Sequence, residues 1–414
     1  MQYGLIGEKL GHSFSAQIHN MLKSNPYTLV ELSPAQIDAF FAAKDFAAIN
    51  VTIPYKTTVI PYLAHIHEQA KQIGAVNTVV NRGGELWGYN TDFFGMQSLI
   101  EHAGITLHNK KVAILGTGGT SKTAHAVAKF LGARQILTVS RTVGAGCITY
   151  AELMAKHKDL EIVINTTPVG MYPNADASPL DISHFERLEG VIDAIYNPLR
   201  TKLVLEAKKR GIKAEGGLYM LVAQAVRASE LFLDCTYAPD TAERIYQALL
   251  HQTENIVLTG MPGAGKSTVG KLLAQNWSRP FFDLDEEIVR VAQKSIPDIF
   301  ATDGESVFRN LETQVLHDVL SHQKGIVLAT GGGAILKDEN IDLLRHNGKI
   351  YFIDRPLSDL LPTSDRPLAS TAEAIRSRYE ERYARYCATA DRCICADAPA
   401  DEVVSRIRKD FENL

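Results

Sequence analysis

The chain has few of the features that mark secreted, membrane or nucleic-acid-binding proteins. Its five cysteines, Cys147, Cys235, Cys387, Cys393 and Cys395, form no C-x-x-C pair and are odd in number, which argues against a disulfide framework. Zinc at Cys387, Cys393 and Cys395 would need a further ligand at unusual spacing, so reduced thiols are the plainer reading. No apolar run reaches the roughly 18 residues of a membrane span. The start, Met1-Gln2-Tyr3-Gly4-Leu5-Ile6-Gly7-Glu8, lacks a basic segment followed by an apolar stretch. A cytoplasmic protein without membrane contact is expected. Positive charge is not in excess either: 43 Lys and Arg face 47 Asp and Glu, a formal net charge of −4. That argues against a nucleic-acid partner, although small anionic ligands need only local positive groups. No internal repeat or low-complexity tract occurs.

At 414 residues, 45% hydrophobic and 22% charged, the chain fits two or three globular domains. Short apolar runs alternate with helical patterns: Val112 to Leu115, Ile136 to Val139, Ile162 to Ile164, Val191 to Ile195, Ile256 to Thr259, Ile326 to Thr330 and Ile350 to Ile353. Such alternation predicts an α/β protein with parallel sheets. A break is expected at the polar stretch Leu250-His251-Gln252-Thr253-Glu254-Asn255, dividing the chain into 1–250 and 251–414.

Each half carries a glycine-rich phosphate cradle after an apolar run. Gly260-Met261-Pro262-Gly263-Ala264-Gly265-Lys266-Ser267 fits G-x-x-x-x-G-K-[ST] throughout. Its backbone N–H groups would wrap phosphate oxygens, Lys266 would neutralise the transferred end, and Ser267 would ligate Mg²⁺. Gly116-Thr117-Gly118-Gly119 is a weaker signal, suggesting a dinucleotide pyrophosphate on a helix N-terminus. After the second strand of that unit the chain reads Ser140-Arg141-Thr142, not the acidic residue of an NAD site. Arginine there suits a 2′-phosphate and so NADP.

Before the first cradle stand four polar clusters: Gly11-His12-Ser13-Phe14-Ser15 with His19-Asn20, Asn50-Val51-Thr52-Ile53-Pro54-Tyr55-Lys56, Gly74-Ala75-Val76-Asn77-Thr78, and Asn90-Thr91-Asp92. Any one of them alone reads better as a helix cap. In series they could line a pocket for a polyhydroxylated carboxylic acid.

With Asn165-Thr166-Thr167-Pro168-Val169-Gly170-Met171, Asp193-Ala194-Ile195-Tyr196-Asn197-Pro198 and Gly217-Leu218-Tyr219-Met220-Leu221-Val222-Ala223-Gln224-Ala225, these clusters make residues 1–250 resemble shikimate dehydrogenase. The resemblance implies a substrate lobe (1–95 and 217–250) and a Rossmann NADP-binding lobe (96–216). It assigns substrate to Ser13, Ser15, Thr52, Asn77, Asp92, Tyr196 and Gln224, with Lys56 and Asp92 as the catalytic pair. The cofactor falls to Gly116, Gly118, Gly119, Thr120, Ser140, Arg141, Thr142 and Met220. Hydride arriving at a ketone builds negative charge on oxygen, which an ammonium beside it stabilises and protonates. Four positions depart from the family pattern. Ser140 replaces an Asn but retains a hydrogen-bonding group. Lys9 and Ala16 replace prolines, and Ser121 stands where Gly or Ala lets the helix approach the sheet.

From about Asn255 the chain is similar to shikimate kinase, a P-loop domain of the nucleoside monophosphate kinase type. The matching residues are Phe282-Asp283-Leu284-Asp285, Ser295-Ile296-Pro297-Asp298-Ile299-Phe300, Gly304-Glu305, Phe308-Arg309, and Thr330-Gly331-Gly332-Gly333-Ala334. The resemblance gives nucleotide to Gly263, Gly265, Lys266, Ser267 and Thr268, metal to Ser267 and Asp283, and substrate to Asp285, Arg309, Gly331, Gly332, Gly333 and Arg382. Lys266, Asp285 and the lid residue Arg366 would serve catalysis. The stretch from Pro356 to Glu373 looks shorter than the family's lid and lacks an additional arginine often found there. Arg376, Arg378, Arg382 and Arg385, interleaved with Tyr379, Tyr383 and Tyr386, read as a solvated helix face with one or two arginines turned to a phosphate site, rather than as an RNA surface.

Taken together, the resemblances imply a bifunctional enzyme that reduces 3-dehydroshikimate with NADPH and phosphorylates shikimate from ATP with Mg²⁺, as monomer or homodimer. A quinate-preferring dehydrogenase joined to another small-molecule kinase, or a second half that senses nucleotide without catalysis, are the alternatives.

Overall fold

A computed structural model describes residues 1–414 except 12, 13, 25, 143, 145, 361–370, 413 and 414. Backbone contacts divide it into two units, Met1–Tyr246 and Gln247–Leu414. The first unit begins with strands β1 (Tyr3–Gly7), β2 (Tyr27–Glu31), β3 (Ala48–Val51), β4 (His65–Ile66), β5 (Thr78–Arg82) and β6 (Glu85–Tyr89). They form one sheet in the order β2-β1-β3-β5-β6-β4. β2, β1 and β3 run parallel, whereas β5 is antiparallel to β3 and β6. The Gly83-Gly84 link between β5 and β6 is short enough only for a hairpin, and a hairpin joins antiparallel neighbours. The parallel arrangement expected from the later apolar runs therefore holds for only part of this lobe, whose sheet is mixed.

The same unit continues with β7 (Lys111–Leu115), β8 (Gln135–Val139), β9 (Cys147–Ile148), β10 (Ile162–Asn165), β11 (Gly190–Asp193) and β12 (Lys213–Glu215). All pairings in this second sheet are parallel, in the order β12-β11-β10-β7-β8-β9. This is the doubly wound dinucleotide-binding order, with its switch point between β7 and β10. Helices cover both faces, so the central strands are apolar at consecutive positions, Val112 to Leu115 and Ile162 to Ile164, rather than at alternate ones. Val112 and Ile114 face one core with Met96 and Val127. Ala113 and Leu115 face the other with Leu153 and Phe185.

The second unit holds β13 (Asn255–Thr259), β14 (Phe281–Asp283), β15 (Val327–Ala329), β16 (Gly348–Asp354) and β17 (Arg392–Cys395). The order is β14-β15-β13-β16-β17, parallel throughout. Ile256 and Leu258 pack on one side of this sheet and Val257 on the other.

The polar stretch expected to break the chain is not a loop. Helix Thr241–Thr253 runs through most of it, and the division between the units falls inside that helix. Leu249 is buried in it, and the buried Thr253 satisfies its hydroxyl by donating to Leu249 O at 2.7 Å. Polar residues without Gly or Pro do not end a helix that has an apolar face to bury.

Candidate active sites

In the first unit, β3 ends at Val51 and the following turns carry Thr52 and Lys56. Helix Thr91–His102 starts with Asn90 as its cap, the Asn90 Oδ1 accepting from Phe93 N at 3.2 Å. The cap places Asp92 in the first turn, where the helix dipole favours a carboxylate. Lys56 Nζ reaches Asp92 Oδ2 at 2.6 Å, with 24% and 15% of the two side chains exposed. Capping is thus realised at Asn90, but Asn77 does something else. Its Oδ1 accepts from Thr91 N (2.7 Å) and its Nδ2 donates to Thr91 Oγ1 (3.1 Å). Thr91 Oγ1 in turn lies 3.3 Å from Gln224 Oε1.

Ser15, Thr52, Lys56, Asn77, Asp92, Tyr196 and Gln224 line one cleft of about 420 Å³, together with Thr120 and Met220. Ser13 lies outside the described residues. Asn50 and Lys9, which the resemblance did not assign to substrate, line the same cleft. Asn50 accepts from Tyr27 OH at 2.7 Å and donates to Thr78 Oγ1 at 3.1 Å; its place in the Asn50-to-Lys56 cluster was the signal available for it.

Below Tyr196, the fully buried Asp193 accepts from Asn165 Nδ2 and Ile195 N at 3.0 Å each and from Thr201 Oγ1 at 2.7 Å. Burial pushes its carboxyl up to about 6, against the opposing effect of these donors. This also explains why β11 stops at Asp193 rather than Ile195. The Ile195 N–H is turned to the Asp193 carboxylate instead of to a neighbouring strand.

The dinucleotide loop follows β7. Gly116 has φ +103°, a conformation that L side chains avoid. Helix Gly119–Phe130 begins after Gly118 with no side-chain cap, leaving its first N–H groups to an anion. Ser121, 3% exposed, fits against the sheet because its hydroxyl donates to Gly116 O at 2.8 Å. Ser140 Oγ accepts from Thr142 N at 3.2 Å, so it braces the loop bearing Arg141. Arg141 is exposed and forms no ion pair among the described residues. An unpaired guanidinium there fits a 2′-phosphate.

In the second unit, Lys266 and Ser267 open helix Lys266–Trp277. Lys266 Nζ donates to Gly260 O (2.9 Å) and Met261 O (3.1 Å). Ser267 Oγ donates to Asp283 Oδ2 at 2.5 Å. Asp283 also caps helix Leu284–Ala292 through Asp285 N at 3.1 Å. A hydroxyl and a carboxylate oxygen in contact beside a phosphate loop are the oxygen donors that Mg²⁺ takes.

Lys266, Ser267, Asp283, Asp285, Arg309, Gly331, Gly332, Gly333 and Arg382 line one pocket of about 110 Å³. Gly263 and Gly265 belong to the loop above it, and Thr268 is an exposed residue of the first helical turn. Arg366 lies outside the described residues. Arg309 is fixed by Glu312 (Nη1 to Oε2, 2.8 Å) and Glu305 (Nη2 to Oε1, 3.3 Å). Burial raises the Glu312 carboxyl, with Arg309 acting the other way. Glu312, Arg378, Phe300 and Phe308 line the pocket as well. Glu312 was missed, although its three-residue spacing from Arg309 on a helix was visible. Of the helical arginines, Arg378 and Arg382 turn inward, whereas Arg385 pairs with Asp338 at 2.7 Å.

Comparison with known proteins agrees with this layout. Residues 5–79 match the family model of the shikimate dehydrogenase substrate binding domain, and residues 262–412 that of shikimate kinase. The chain is 35% identical over 271 residues to a shikimate dehydrogenase (NADP(+)) of Clostridium perfringens, covering 60% of this chain and 97% of that protein. It is 38% identical over 250 residues to the enzyme of the same name from Geobacillus kaustophilus, covering 55% and 91%. The crystal structure of shikimate dehydrogenase 1 from Peptoclostridium difficile superposes with a TM-score of 0.55 at 37% identity, covering 60% of this chain and 97% of that one. Shikimate 5-dehydrogenase from Thermus thermophilus, in complex with NADP(H) and shikimate, superposes with a TM-score of 0.54 at 25% identity, covering 60% and 99%. The chain belongs to the shikimate dehydrogenase family and continues into a shikimate kinase domain, which makes it a bifunctional shikimate-pathway enzyme that uses NADP, ATP and Mg²⁺.

Proposed function

We propose that the first unit reduces 3-dehydroshikimate to shikimate and that the second converts shikimate to its 3-phosphate, with functional boundaries at 1–250 and 251–414. One observation supports this most: in each unit a residue of the phosphate loop or its helix lines the same pocket as the proposed substrate set. Thr120 shares the cleft of Lys56 and Asp92, and Lys266 shares that of Asp285 and Arg309. When bound, NADPH supplies hydride and Mg-ATP the phosphoryl group. Lys56 donates to the ketone oxygen as charge builds on it, and Asp92 keeps the ammonium aimed there. Asn77, Thr52, Tyr196, Gln224, Ser13 and Ser15 hold the ring hydroxyls and carboxylate.

In the second pocket Asp285 orients the attacking hydroxyl and accepts its proton. Lys266 and Arg366 offset the charge on the transferred group, and Arg309 and Arg382 hold the carboxylate. The enzyme is proposed to act in the cytoplasm as a monomer or homodimer. Purified protein given 3-dehydroshikimate, NADPH and Mg-ATP should oxidise NADPH and accumulate shikimate 3-phosphate. Formation of neither product would overturn the reading.

A further inference from the structure

Arg378 lines the kinase pocket beside Arg309 and Arg382. It precedes Arg382 by four residues on helix Ala372–Thr389, so the two side chains share one helix face. Among the described residues neither forms an ion pair. Arg378 Nη1 makes a long 3.4 Å bond to Ala374 O, and Arg382 Nη1 a 3.4 Å bond to Gly332 O. The Nε of each is buried without a hydrogen-bond partner. Burial, reinforced by the neighbouring Arg382 and Arg309 charges and only partly opposed by Glu381 and Glu305, weakens the Arg378 guanidinium's hold on its proton. That is the direction expected of a cation short of counter-charge.

Arg309 is in a different position, since both of its terminal nitrogens are engaged by Glu312 and Glu305. A carboxylate offers about four lone-pair sites and matches the planar fork of an arginine. Two adjacent forks that form no ion pair among the described residues therefore add anion-binding capacity to the one fork already held by glutamates. Their mutual repulsion is relieved when an anion lies between them, and a neutral ligand brings no such gain.

Resting on the assignment of shikimate phosphorylation to this pocket, we propose that Arg378 is a further substrate-binding residue that joins Arg309 and Arg382 in the clamp on the carboxylate of the cyclohexene acid. Arg309 is the member of the three that glutamates already brace. Arg378 then sets the preference for an acid over a neutral ring compound.

The test is steady-state phosphorylation by the full-length chain and its R378Q and R378K variants, with shikimate and with its neutral carboxamide as acceptors. In R378Q the KM for shikimate should rise roughly 10- to 100-fold, the range for losing a charge-assisted hydrogen bond. The preference for acid over amide should fall by the same factor, with the KM for ATP unchanged. R378K should recover part of the loss. An R378Q variant that keeps the wild-type preference, or that loses acid and amide equally, overturns the proposal while leaving the kinase assignment intact. A wild-type chain that phosphorylates neither acceptor overturns both.

Discussion

Gly333 backs directly onto the Arg309 guanidinium, so that a methyl group on its Cα would overlap both terminal nitrogens. Arg309 cannot swing aside freely because Glu312 and Glu305 hold it. Gly333→Ala should therefore displace Arg309 and lower kcat/KM for shikimate phosphorylation roughly 10- to 100-fold, the usual cost of misplacing a positioning group by about an ångström. ATP affinity and dehydrogenase activity should stay at wild-type values. Parallel kinetics on both reactions check this, and an unaltered kcat/KM for shikimate would show that the glycine is not needed for close approach.

The two chemistries should be separable by single substitutions. Lys56→Ala is expected to remove reduction, by about 10²- to 10⁴-fold if Lys56 serves as a general acid, and to leave phosphorylation untouched. Lys266→Ala should do the reverse. One substitution that silenced both activities would contradict the assignment of independent sites.

Arg141→Gln should raise the KM for NADPH at least about tenfold, since it removes a charge-assisted contact to a 2′-phosphate, while the KM for NADH stays the same. Equal losses with both cofactors would mean that Arg141 supports the loop and does not read the phosphate.

The buried Asp193 predicts a pH signature. An unfolded aspartate loses its proton near its ordinary value, whereas burial keeps the folded carboxyl protonated up to about 6. Between those values the folded form binds more protons, so this group's contribution to stability declines as pH rises, by up to roughly 3 kcal/mol. His19 works in the opposite sense, because burial lowers it to about 3 and its contribution is lost as pH falls below its ordinary value. Asp193→Asn removes the first effect alone. Thermal unfolding from pH 4 to 6.5 should show the variant gaining on wild type as pH rises, and a pH-independent difference would rule the perturbed carboxyl out.

Much of the chemistry could be read before any fold was known. The P-loop, the Asp283-Leu284-Asp285 turn and the three glycines at 331–333 are local patterns whose function depends on backbone shape near the residue itself, and such shapes follow from short sequences. The central parallel strands β7, β8, β10, β11, β13, β15 and β16 were visible as apolar runs for the same reason, whereas the short outer strands β9, β12, β14 and β17 were not. The first sheet was not, because β2 is largely exposed, β4 has only two residues and the reversal at β5 is a pairing choice between segments. Sequence also left open whether Arg378 turns inward, since helical periodicity shows which arginines share a face and not what that face meets.

Composition and motif order determined by themselves that the chain is an α/β protein with two phosphate loops, one fit for a dinucleotide and one for a nucleoside triphosphate. Tertiary structure alone decided which polar side chains meet. Lys56 and Asp92, 36 residues apart, close to 2.6 Å, and Arg309 is taken by its glutamates whereas Arg378 and Arg382 form no ion pair among the described residues. The physical reason is that a motif carries its own backbone geometry, whereas the pairing of charges depends on distances that only the packed sheets and helices set.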